Sequence, residues 1–376
     1  MATVYDLLTQ HSTNVVHNTH YVTQSNKEWA RNYHPIRNLV VHSYHGGDGL
    51  VHADFDSAFL GSYEDDGMRM DEPAMAPNKR IWRLECEADC ELWFHTEVSN
   101  VVLAGWNRYP QVTQTSHTKP PRVENIPEEV DAMYTIKYRN ERTVIAIGEM
   151  KRNLIQAAAW QAGNVLQVAG QKMLSRELRG YAVKYQSPQV YCFDGKTLLL
   201  LQFRADTPAK MMDADCPVDC WVLPREGSFY SLRYALYRLM AQGFRRFQGM
   251  CALPISVGGL TPRSRRFFNG VPVWHPNGVD QDEHPGGYVR SVNGTSGAVK
   301  WTHKGEDADV DNNEDNNDND NEEHTPTLVK GKGKGKAKVA IPTKKSKKAK
   351  KAKKEESKEE DEDKDKDKED TYPSID

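Results

Sequence analysis

Apolar and polar residues follow several regular patterns in the middle of the chain. Over residues 82–106, apolar side chains recur every three or four residues, which predicts an amphipathic helix. Residues 130–138 and 143–151 alternate between apolar and polar, which predicts the two strands of a hairpin that turns over residues 139–142. A second amphipathic pattern predicts a helix over residues 154–174.

The patterns continue toward the C-terminus with a second hairpin and a third helix. Residues 190–193 and 198–203 are apolar runs that flank Asp194-Gly195, a dipeptide whose backbone preferences suit a tight turn. Residues 229–247 are again amphipathic, with arginines on one side. The order helix, hairpin, helix, hairpin, helix indicates an α/β (α+β) domain in which helices flank a mixed central sheet.

These patterns divide the chain into four regions. Residues 1–77 combine short apolar runs with turn signals, and we interpret them as an N-terminal extension of mixed order. Residues 78–255 contain the predicted α/β domain, and residues 256–302 form an extension rich in Gly, Pro and Arg. Residues 303–376 contain few apolar side chains, so we expect this charged tail to be disordered.

The overall charge hides a difference between the tail and the rest of the chain. The 376 residues carry a formal charge of -3, but the tail has 18 basic and 22 acidic residues, against 32 and 31 before it. No apolar stretch reaches the roughly 18 to 20 residues that cross a bilayer, so we expect no membrane partner. Six cysteines are too few for a disulfide scaffold and the start shows no secretory pattern, which favours a reducing compartment.

A lysine-rich block in the tail bears on location and partners. Clustered lysines predict a nuclear localisation signal, read by an import receptor, or a nonspecific phosphate-binding segment. The nucleus is therefore the expected location, with the cytoplasm as the alternative. Acidic blocks on both sides would make nucleic-acid binding weak and strongly salt-dependent, and a purely solubilising tail is the other interpretation. The block includes Lys344, Lys345, Lys347 and Lys348.

Acidic and basic side chains converge at the open end of the first predicted hairpin. Asp131 begins its first strand, and Glu149 and Lys151 end its second strand on a shared face. A three-residue turn would place Asp131 on that face as well, whereas a two-residue turn would place it on the opposite face. Two carboxylates and a lysine suit metal-assisted phosphodiester hydrolysis, because carboxylates hold Mg²⁺ or Mn²⁺ and lysine can orient the attacking water.

Glu97 provides an independent clue to a buried polar site. It falls in the middle of the apolar stripe of the first predicted helix. An unpaired carboxylate in that position would be costly, so Glu97 requires a partner. A metal at the end of the hairpin is one candidate for that partner.

The residues around this hairpin resemble the PD-(D/E)XK nuclease superfamily, which has the restriction-endonuclease-like fold. The resemblance covers residues 82–205 and is carried by a helix with an inward Glu, a strand that opens with Asp, and a next strand that ends in Glu-x-Lys. Nuclease-like domains in uncharacterised proteins of filamentous fungi are similar. The resemblance implies that Asp131, Glu149 and Glu97 bind metal. It further implies that Lys151 assists the attacking water.

Two other stretches of the chain could contact nucleic acid. On the second predicted helix, Trp160, Gln167 and Gln171 share a polar face, and Trp160 is expected to be exposed there. Arg245 and Arg246 belong to a basic stretch with interleaved aromatic residues that could follow a phosphate backbone. The alternative interpretation is a solvated or interdomain polar face for the first stretch and a solvated helix face for the second.

Cysteine and histidine spacings give weaker signals for metal binding. Two Cys-x-x-x-Cys pairs have a spacing that zinc permits, but the first pair lies on a predicted apolar stripe, so we interpret all four as buried free thiols. Two histidine pairs lack a matching Cys or carboxylate pattern, and we do not interpret them as ligands. These residues are Cys86, Cys90, Cys216 and Cys220, and His17, His20, His42 and His45.

The sequence therefore supports two functional hypotheses. The first is a nuclear, Mg²⁺- or Mn²⁺-dependent nuclease that cuts DNA or RNA. The second is a noncatalytic protein that binds nucleic acid or chromatin, using the α/β domain as a scaffold and the lysine block for affinity. Val130, which stands before Asp131 where the superfamily motif usually has Pro, is the one departure from the pattern.

Overall fold

Helices and strands occur throughout the part of the chain that the computed structural model describes, which comprises residues 1–61, 64–108, 111–115, 128–292 and 299–304. The α-helices are α1 (Val4–Leu8), α2 (Glu64–Met70), α3 (Glu87–Phe94), α4 (Asn100–Ala104), α5 (Ala157–Gln161), α6 (Ala169–Lys184) and α7 (Leu232–Cys251). A π-helical turn joins α3 to α4, and short 3₁₀ segments occur elsewhere: the turn is His95–Ser99 and the segments are Glu28–Asn32, Val165–Gln167, Pro208–Met212 and Pro276–Gly278. The strands are β1 (Val15–Asn18), β2 (Leu39–Val41), β3 (Ser43–His45), β4 (Val51–Ala53), β5 (Ile81–Leu84), β6 (Val112–Thr115), β7 (Ala132–Tyr138), β8 (Glu141–Met150), β9 (Gln189–Phe193), β10 (Thr197–Phe203), β11 (Val218–Pro224), β12 (Ser264–Arg265), β13 (Pro272–Val273), β14 (Tyr288–Val292) and β15 (Val299–His303).

Seven of these strands form one mixed central sheet. Their order is β2-β11-β10-β9-β8-β7-β6. The pairs β2 with β11 and β8 with β9 are parallel, and the other neighbours are antiparallel. The parallel pairing of β8 and β9 follows from the helical connection through α5 and α6. This architecture confirms the predicted α/β class with helices flanking a mixed sheet.

Apolar side chains cover both faces of the sheet and create three layers. The face that carries Tyr191 and Leu200 packs against α3, α4 and α7. The opposite face, with Val190 and Leu201, packs against α6. Full burial of each large apolar side chain contributes about 1.5–3 kcal/mol. Because both faces of β9 and β10 are covered, these strands have almost continuous apolar sequences.

Two predicted helices differ from the observed ones. The first begins later than predicted, because residues 81–84 form β5, which pairs in parallel with β1. The predicted helix over residues 154–174 is wrong as a single element. Gly163, with φ of 70°, follows the end of α5 in the left-handed region that glycine favours, and α6 then runs on to Lys184. The second hairpin and the third helix are confirmed as β9–β10 and α7.

Residues from the first quarter of the chain contribute to the same unit as the sheet. The strand β2 is an edge strand, and the segment around Thr23 crosses the end of β8. The Thr23 amide donates to the Arg152 carbonyl at 3.0 Å, and the Arg152 amide donates to Thr23 Oγ1 at 2.9 Å. Asn153 Nδ2 donates to the Tyr21 carbonyl at 2.7 Å. The described residues all lie within one compact unit that spans residues 1–329.

The cysteines of the two Cys-x-x-x-Cys pairs differ in exposure. All four are free thiols, and Cys90, Cys216 and Cys220 are buried as predicted. Cys86 is exposed, contrary to prediction, because it caps the N-terminus of α3 and does not lie on its apolar stripe. Among the described residues, no helix is both long and apolar enough to cross a bilayer. The tail beyond residue 304, including the lysine block, lies outside the described residues.

Candidate active site at the end of the first hairpin

The turn of the first hairpin is shorter than the site hypothesis required. Tyr138 pairs with Glu141, so only Arg139 and Asn140 form the loop. Both have positive φ, 49° and 67°, as expected for a two-residue turn between twisted strands. Of the two alternatives, the hairpin has the two-residue turn, and an unbroken ladder from this turn would place Asp131 on the face opposite Glu149.

A β-bulge in the middle of the hairpin restores the required register. Tyr134 pairs with Ala146, but the next residue, Thr135, pairs with Val144. Ile145 is thus an extra residue on β8, and the pairing shifts by one position beyond it. A bulge of this kind reverses which side chains share a face, and bulges are common next to active sites.

Beyond the bulge, the two predicted carboxylates face each other. Ala132 pairs with Gly148, so Asp131 stands opposite Glu149 one step further along the strands. Asp131 Oδ2 accepts a hydrogen bond of 2.6 Å from the Met150 amide, which fixes its side chain at the end of the hairpin. Asp131 thus shares a face with Glu149 because of the bulge, and not because of a three-residue turn.

Two lysines and a second glutamate complete the cluster around Glu149. Lys151 Nζ donates to Glu149 Oε1 at 2.5 Å and to Glu177 Oε1, on α6, at 3.2 Å. Lys27 Nζ lies 3.3 Å from both of these oxygens. Glu149, Lys151 and Glu177 are at most 3% exposed, whereas the Lys27 side chain is 40% exposed. The cluster is therefore an internal ion network with Lys27 on its outer side.

Neighbouring residues orient this network from the helix and from the N-terminal segment. Tyr181, one turn after Glu177 on α6, accepts a hydrogen bond of 2.7 Å from Lys27 Nζ at its hydroxyl. Ser25 Oγ donates to Glu177 Oε2 at 2.5 Å. The segment that crosses β8 thus places both Ser25 and Lys27 against side chains of α6.

Burial and charge act in opposite directions on these groups. Burial raises the pKa of Glu149 well above its usual value, against the attraction of Lys151, and the negative charges of Asp131 and Glu177 add to the rise. Burial acts the same way on Glu177, but Lys151 and Lys27 hold the pKa of that carboxyl below its usual value. Burial alone would lower the pKa of Lys151, yet Glu149 and Glu177 raise it. Glu149 therefore holds a proton more readily than Glu177.

One buried oxygen of Glu149 is a candidate ligand for a bound cation. Glu149 Oε2 has no hydrogen-bond partner among the described residues, although Oε1 accepts from the lysines. Asp131 faces it, and burial also raises the pKa of Asp131, with a further rise from the negative charge of Glu91. Two desolvated carboxylates are suitable ligands for a hard divalent cation, whose charge would offset theirs. Within the described ranges no group of three or more His, Cys, Asp or Glu side chains is arranged for a metal, so water would have to complete the shell.

Glu97 lies in a different set of contacts. It is buried in the π-helical turn, and its carboxylate accepts hydrogen bonds from Ser12 Oγ at 2.7 Å, Asn14 Nδ2 at 2.6 Å and Trp82 Nε1 at 2.8 Å. Arg233 Nη2 lies 3.8 Å from it. The prediction of a buried partner is confirmed, but that partner is a set of protein donors. The glutamate of this helix whose charge acts on Asp131 is Glu91.

The residues proposed for nucleic-acid contact differ in exposure. Trp160 is fully buried, contrary to the expected exposure, because its Nε1 donates to Gln171 Oε1 at 2.7 Å beneath α6. Gln171 is also buried and donates to the Leu154 carbonyl, whereas Gln167 is exposed. The break at Gly163 accounts for this, because the three side chains no longer share one helix face.

Arg245 and Arg246 are buried on α7. Arg245 forms ion pairs with Asp65 and Asp66 of α2. Arg246 donates to Gln189 Oε1 at 3.0 Å and to the Val144 carbonyl, and burial lowers the pKa of Arg246 to about 10. These guanidinium groups therefore connect structural elements in the interior, which a reading of charge along the sequence did not anticipate. Lys344, Lys345, Lys347 and Lys348 lie outside the described residues.

Sequence reasoning missed four members of the network: Ser25, Lys27, Glu177 and Tyr181. A signal existed for Glu177, because it lies in the buried stripe of α6 beside Leu174 and Leu178, as Glu97 does in the first helix. No signal existed for Lys27, which is 122 residues from Glu149 along the chain. No family profile, curated protein or solved structure matches the chain.

Proposed function

We propose that the end of the first hairpin is the site of a metal-dependent nuclease that hydrolyses phosphodiester bonds in DNA or RNA. In this proposal Asp131 and Glu149 bind Mg²⁺ or Mn²⁺, as the resemblance to the PD-(D/E)XK superfamily implies. The observation that carries the proposal is the bulge at Ile145, which brings Asp131 opposite Glu149, two residues from Lys151 on the same strand face. The helical connection from β8 to the parallel strand β9 also agrees with the resemblance.

The chain's own groups have separable roles in such a reaction. When bound, the cation would lower the pKa of a water molecule and offset the charge that develops on the phosphate. Lys151 stays protonated because its pKa is raised, so it acts as a hydrogen-bond donor that orients water or phosphate oxygens rather than as a base. Glu177 holds Lys151 at 3.2 Å and thereby sets the direction of that donor.

A noncatalytic scaffold that binds nucleic acid is the second candidate. The observation that favours it is the closure of the cluster: Glu149 and Lys151 are 2% and 3% exposed and donate or accept within the protein. Lys27 lies over them and shares Glu149 Oε1 with Lys151. A phosphodiester reaches Glu149 only if the segment that carries Lys27 moves away.

Cleavage and metal binding can be measured on the same set of variants. Purified protein is incubated with single- and double-stranded DNA and RNA and Mg²⁺ or Mn²⁺, beside Asp131→Asn, Glu149→Gln and Lys151→Ala. We expect each variant to lose about 100-fold or more in cleavage rate, since a metal contributes several kcal/mol and each tenfold corresponds to about 1.4 kcal/mol. Mn²⁺ should raise the unfolding temperature of the wild type but not that of Glu149→Gln.

Glu226→Gln is the matched control, because its side chain is 85% exposed and distant in sequence from the hairpin. It should cleave and bind Mn²⁺ as the wild type does. Cleavage that survives in the Glu149→Gln and Lys151→Ala variants would refute the enzyme proposal. If Mn²⁺ has no effect and nothing is cleaved, while nucleic acid is still retarded in a gel, the scaffold is the better account.

A further inference from the structure

A serine, a histidine and an aspartate form a hydrogen-bonded chain at the end of the sheet remote from Glu149. Ser57 Oγ lies 2.7 Å from His42 Nδ1, and His42 Nε2 lies 2.8 Å from Asp219 Oδ1. The two ring nitrogens therefore serve different partners. With the ring proton on Nε2, directed at Asp219, the Nδ1 lone pair is free to accept the Ser57 hydroxyl proton. These are the roles of a Ser-His-Asp relay, with the two ring nitrogens exchanged relative to the serine-protease arrangement.

The aspartate of this chain is fixed from several sides. Asp219 is completely buried on β11, and its carboxylate accepts hydrogen bonds from Gln202 Nε2 at 3.0 Å and Arg204 Nε at 2.9 Å. Burial would raise the pKa of Asp219, but the hydrogen bonds from His42, Arg204 and Gln202 lower it. The carboxylate is thus ionised and sets the tautomer of the ring, which also stacks on Trp221 with centroids 5.1 Å apart.

The serine lies at the open end of the chain. The Ser57 amide donates to Asp54 Oδ1 at 3.1 Å, which holds the loop after β4 in place. Ser57 Oγ is also 2.9 Å from the Asp54 carbonyl, so its hydroxyl can turn between that oxygen and His42. Ser57 is exposed and borders a cleft of about 890 Å³ whose wall includes Arg204 and Arg266. A nucleophile, a base and space for a substrate therefore occur together.

We propose that Ser57, His42 and Asp219 form an acyl-transfer site that hydrolyses small, uncharged carboxylic esters. Ser57 Oγ bonds to the ester carbonyl carbon while its proton moves to His42 Nδ1. The alkoxide leaves and takes that proton as an alcohol, and the acyl group remains on Ser57. Water then attacks the acyl group, gives a proton to His42 and releases the carboxylic acid, and the proton returns to Ser57 Oγ.

The charge around the cleft selects the kind of ester. Arg204 borders the same cleft as Ser57 and contributes positive charge to its wall, while its Nε and Nη2 hold Asp219. Arg266 is paired with Asp206 and Asp282, which line the same cleft. Positive and negative groups therefore nearly cancel along the wall, and an uncharged substrate needs no further partner there.

Covalent labelling tests the site directly. Full-length protein is treated with an alkyl fluorophosphonate, the modified residue is mapped by peptide mass spectrometry, and hydrolysis of p-nitrophenyl acetate is followed in parallel. We expect the adduct on Ser57 alone, no adduct in Ser57→Ala, and a rate lower by about 100-fold or more in His42→Gln. Ser264→Ala, which removes another exposed serine, should label and hydrolyse as the wild type does.

Asp219 acts through His42 and is a positioning residue, so its test needs a readout beyond stability. Asp219→Asn should lower kcat for p-nitrophenyl acetate by about 100-fold or more and leave KM unchanged, since it disturbs the ring and not the cleft. The proposal fails if wild-type protein gives no adduct on Ser57. It also fails if Ser57→Ala and His42→Gln, shown to be folded by circular dichroism, hydrolyse the ester at the wild-type rate.

Discussion

The two polar clusters of the central sheet lie at opposite ends of β9 and on opposite faces of the sheet. At one end, Glu149 beside Cys192 belongs to a closed cluster of two glutamates and two lysines. At the other end, Asp219 accepts a hydrogen bond from Gln202, which in turn accepts one from Gln189. Asp219 is also connected through His42 to the exposed Ser57. The first cluster is covered by a segment from the N-terminal region, and the second opens on a cleft.

The clusters differ in how far hydrogen-bond donors and neighbouring charges offset the effect of burial on the pKa of each carboxylate. Burial raises the pKa of both Asp131 and Glu149, and among the described residues one oxygen of Glu149 has no hydrogen-bond partner. Asp219 is just as deeply placed, but three side chains donate to it and lower its pKa. Burial alone therefore does not determine whether a carboxylate is ionised. Hydrogen-bond donors and neighbouring charges decide it as well: negative neighbours add to the rise at Glu149, whereas three donors lower the pKa of Asp219.

The largest effect should come from removing a lysine of the closed cluster. Lys151→Met leaves Glu149 and Glu177 buried with only Lys27 beside them, and we expect a loss of about 3–5 kcal/mol in the free energy of unfolding, measured in urea. Lys27→Met is the matched control, and it should cost no more than about 1 kcal/mol, because Lys27 is 40% exposed and its ion pairs are screened by solvent. Equal losses in the two variants would contradict the distinction between inner and outer lysine.

The next largest effect should be a difference between the two ends of the sheet in how the free energy of unfolding depends on pH. Asp219→Asn should cost about 1.5–3 kcal/mol at pH 7, the range for hydrogen bonds to a charged group. Because the folded-state pKa of Asp219 is lowered, its contribution is present above about pH 3.9 and is lost as the pH falls through the lower folded value. The difference in the free energy of unfolding between Asp219→Asn and wild type should therefore become smaller in acid. Urea unfolding at several pH values measures this difference.

Asp131→Asn should show the opposite pH dependence. The folded-state pKa of Asp131 is raised, so its contribution is present below about pH 3.9 and is lost as the pH rises through the raised folded value. As the pH rises from about 3.9 through the raised folded-state pKa, the free energy of unfolding of Asp131→Asn should increase relative to that of the wild type. If the free energies of unfolding of the two aspartate variants change with pH in the same direction relative to wild type, burial affects Asp131 and Asp219 alike, and the contrast between the two ends of the sheet is refuted.

A smaller effect should separate the two glutamates of the first helix. Glu97→Gln keeps the shape of the side chain and an oxygen for Asn14 and Trp82, which donate to the same carboxylate oxygen, so we expect a loss of about 1–2 kcal/mol in urea unfolding. Its contacts lie within the protein, so nucleic-acid cleavage and the Mn²⁺-induced rise in unfolding temperature should be unchanged. A loss of the Mn²⁺ effect would instead restore Glu97 to the metal site that the resemblance implies.

The smallest effect should occur at the open end of the sheet. Ser57 is exposed, so Ser57→Ala should change the free energy of unfolding by less than about 0.5 kcal/mol. The same variant should abolish labelling by the fluorophosphonate. A large loss of stability in Ser57→Ala would show that the hydroxyl mainly anchors the loop, and the contrast between a stabilising and a reactive cluster would then disappear.

The sequence predicted those parts of the site that depend on short spacings. Glu149 and Lys151 share a face because they are two residues apart along the chain at the end of a strand. In the structure, Lys151 Nζ lies 2.5 Å from Glu149 Oε1. The glutamate on the first helix was recognised as buried from its place in the apolar stripe, and it is buried. Its partners could not be predicted, because Ser12, Asn14 and Arg233 approach from distant parts of the chain.

Longer-range features escaped prediction for identifiable reasons. The helix over residues 154–174 was predicted as continuous because Gly163 costs only about 1 kcal/mol in a helix, too little to mark a break by itself. Trp160 and Gln171 were assigned to a surface on that basis, but the break turns them toward each other. Arg245 and Arg246 were read as a basic surface, although buried acceptors on α2, β8 and β9 hold them inside.

By itself, the sequence determined the layered α/β class, the two hairpins and the pairing of Glu149 with Lys151, because periodicities of two and of about 3.6 residues record which side chains share a face. Only the tertiary structure decided that Asp131 joins them, through a bulge at Ile145 that no periodicity announces. It also decided that Lys27 closes this cluster and that Ser57 meets His42, since contacts made by folding loops onto a sheet leave no regular spacing in the chain.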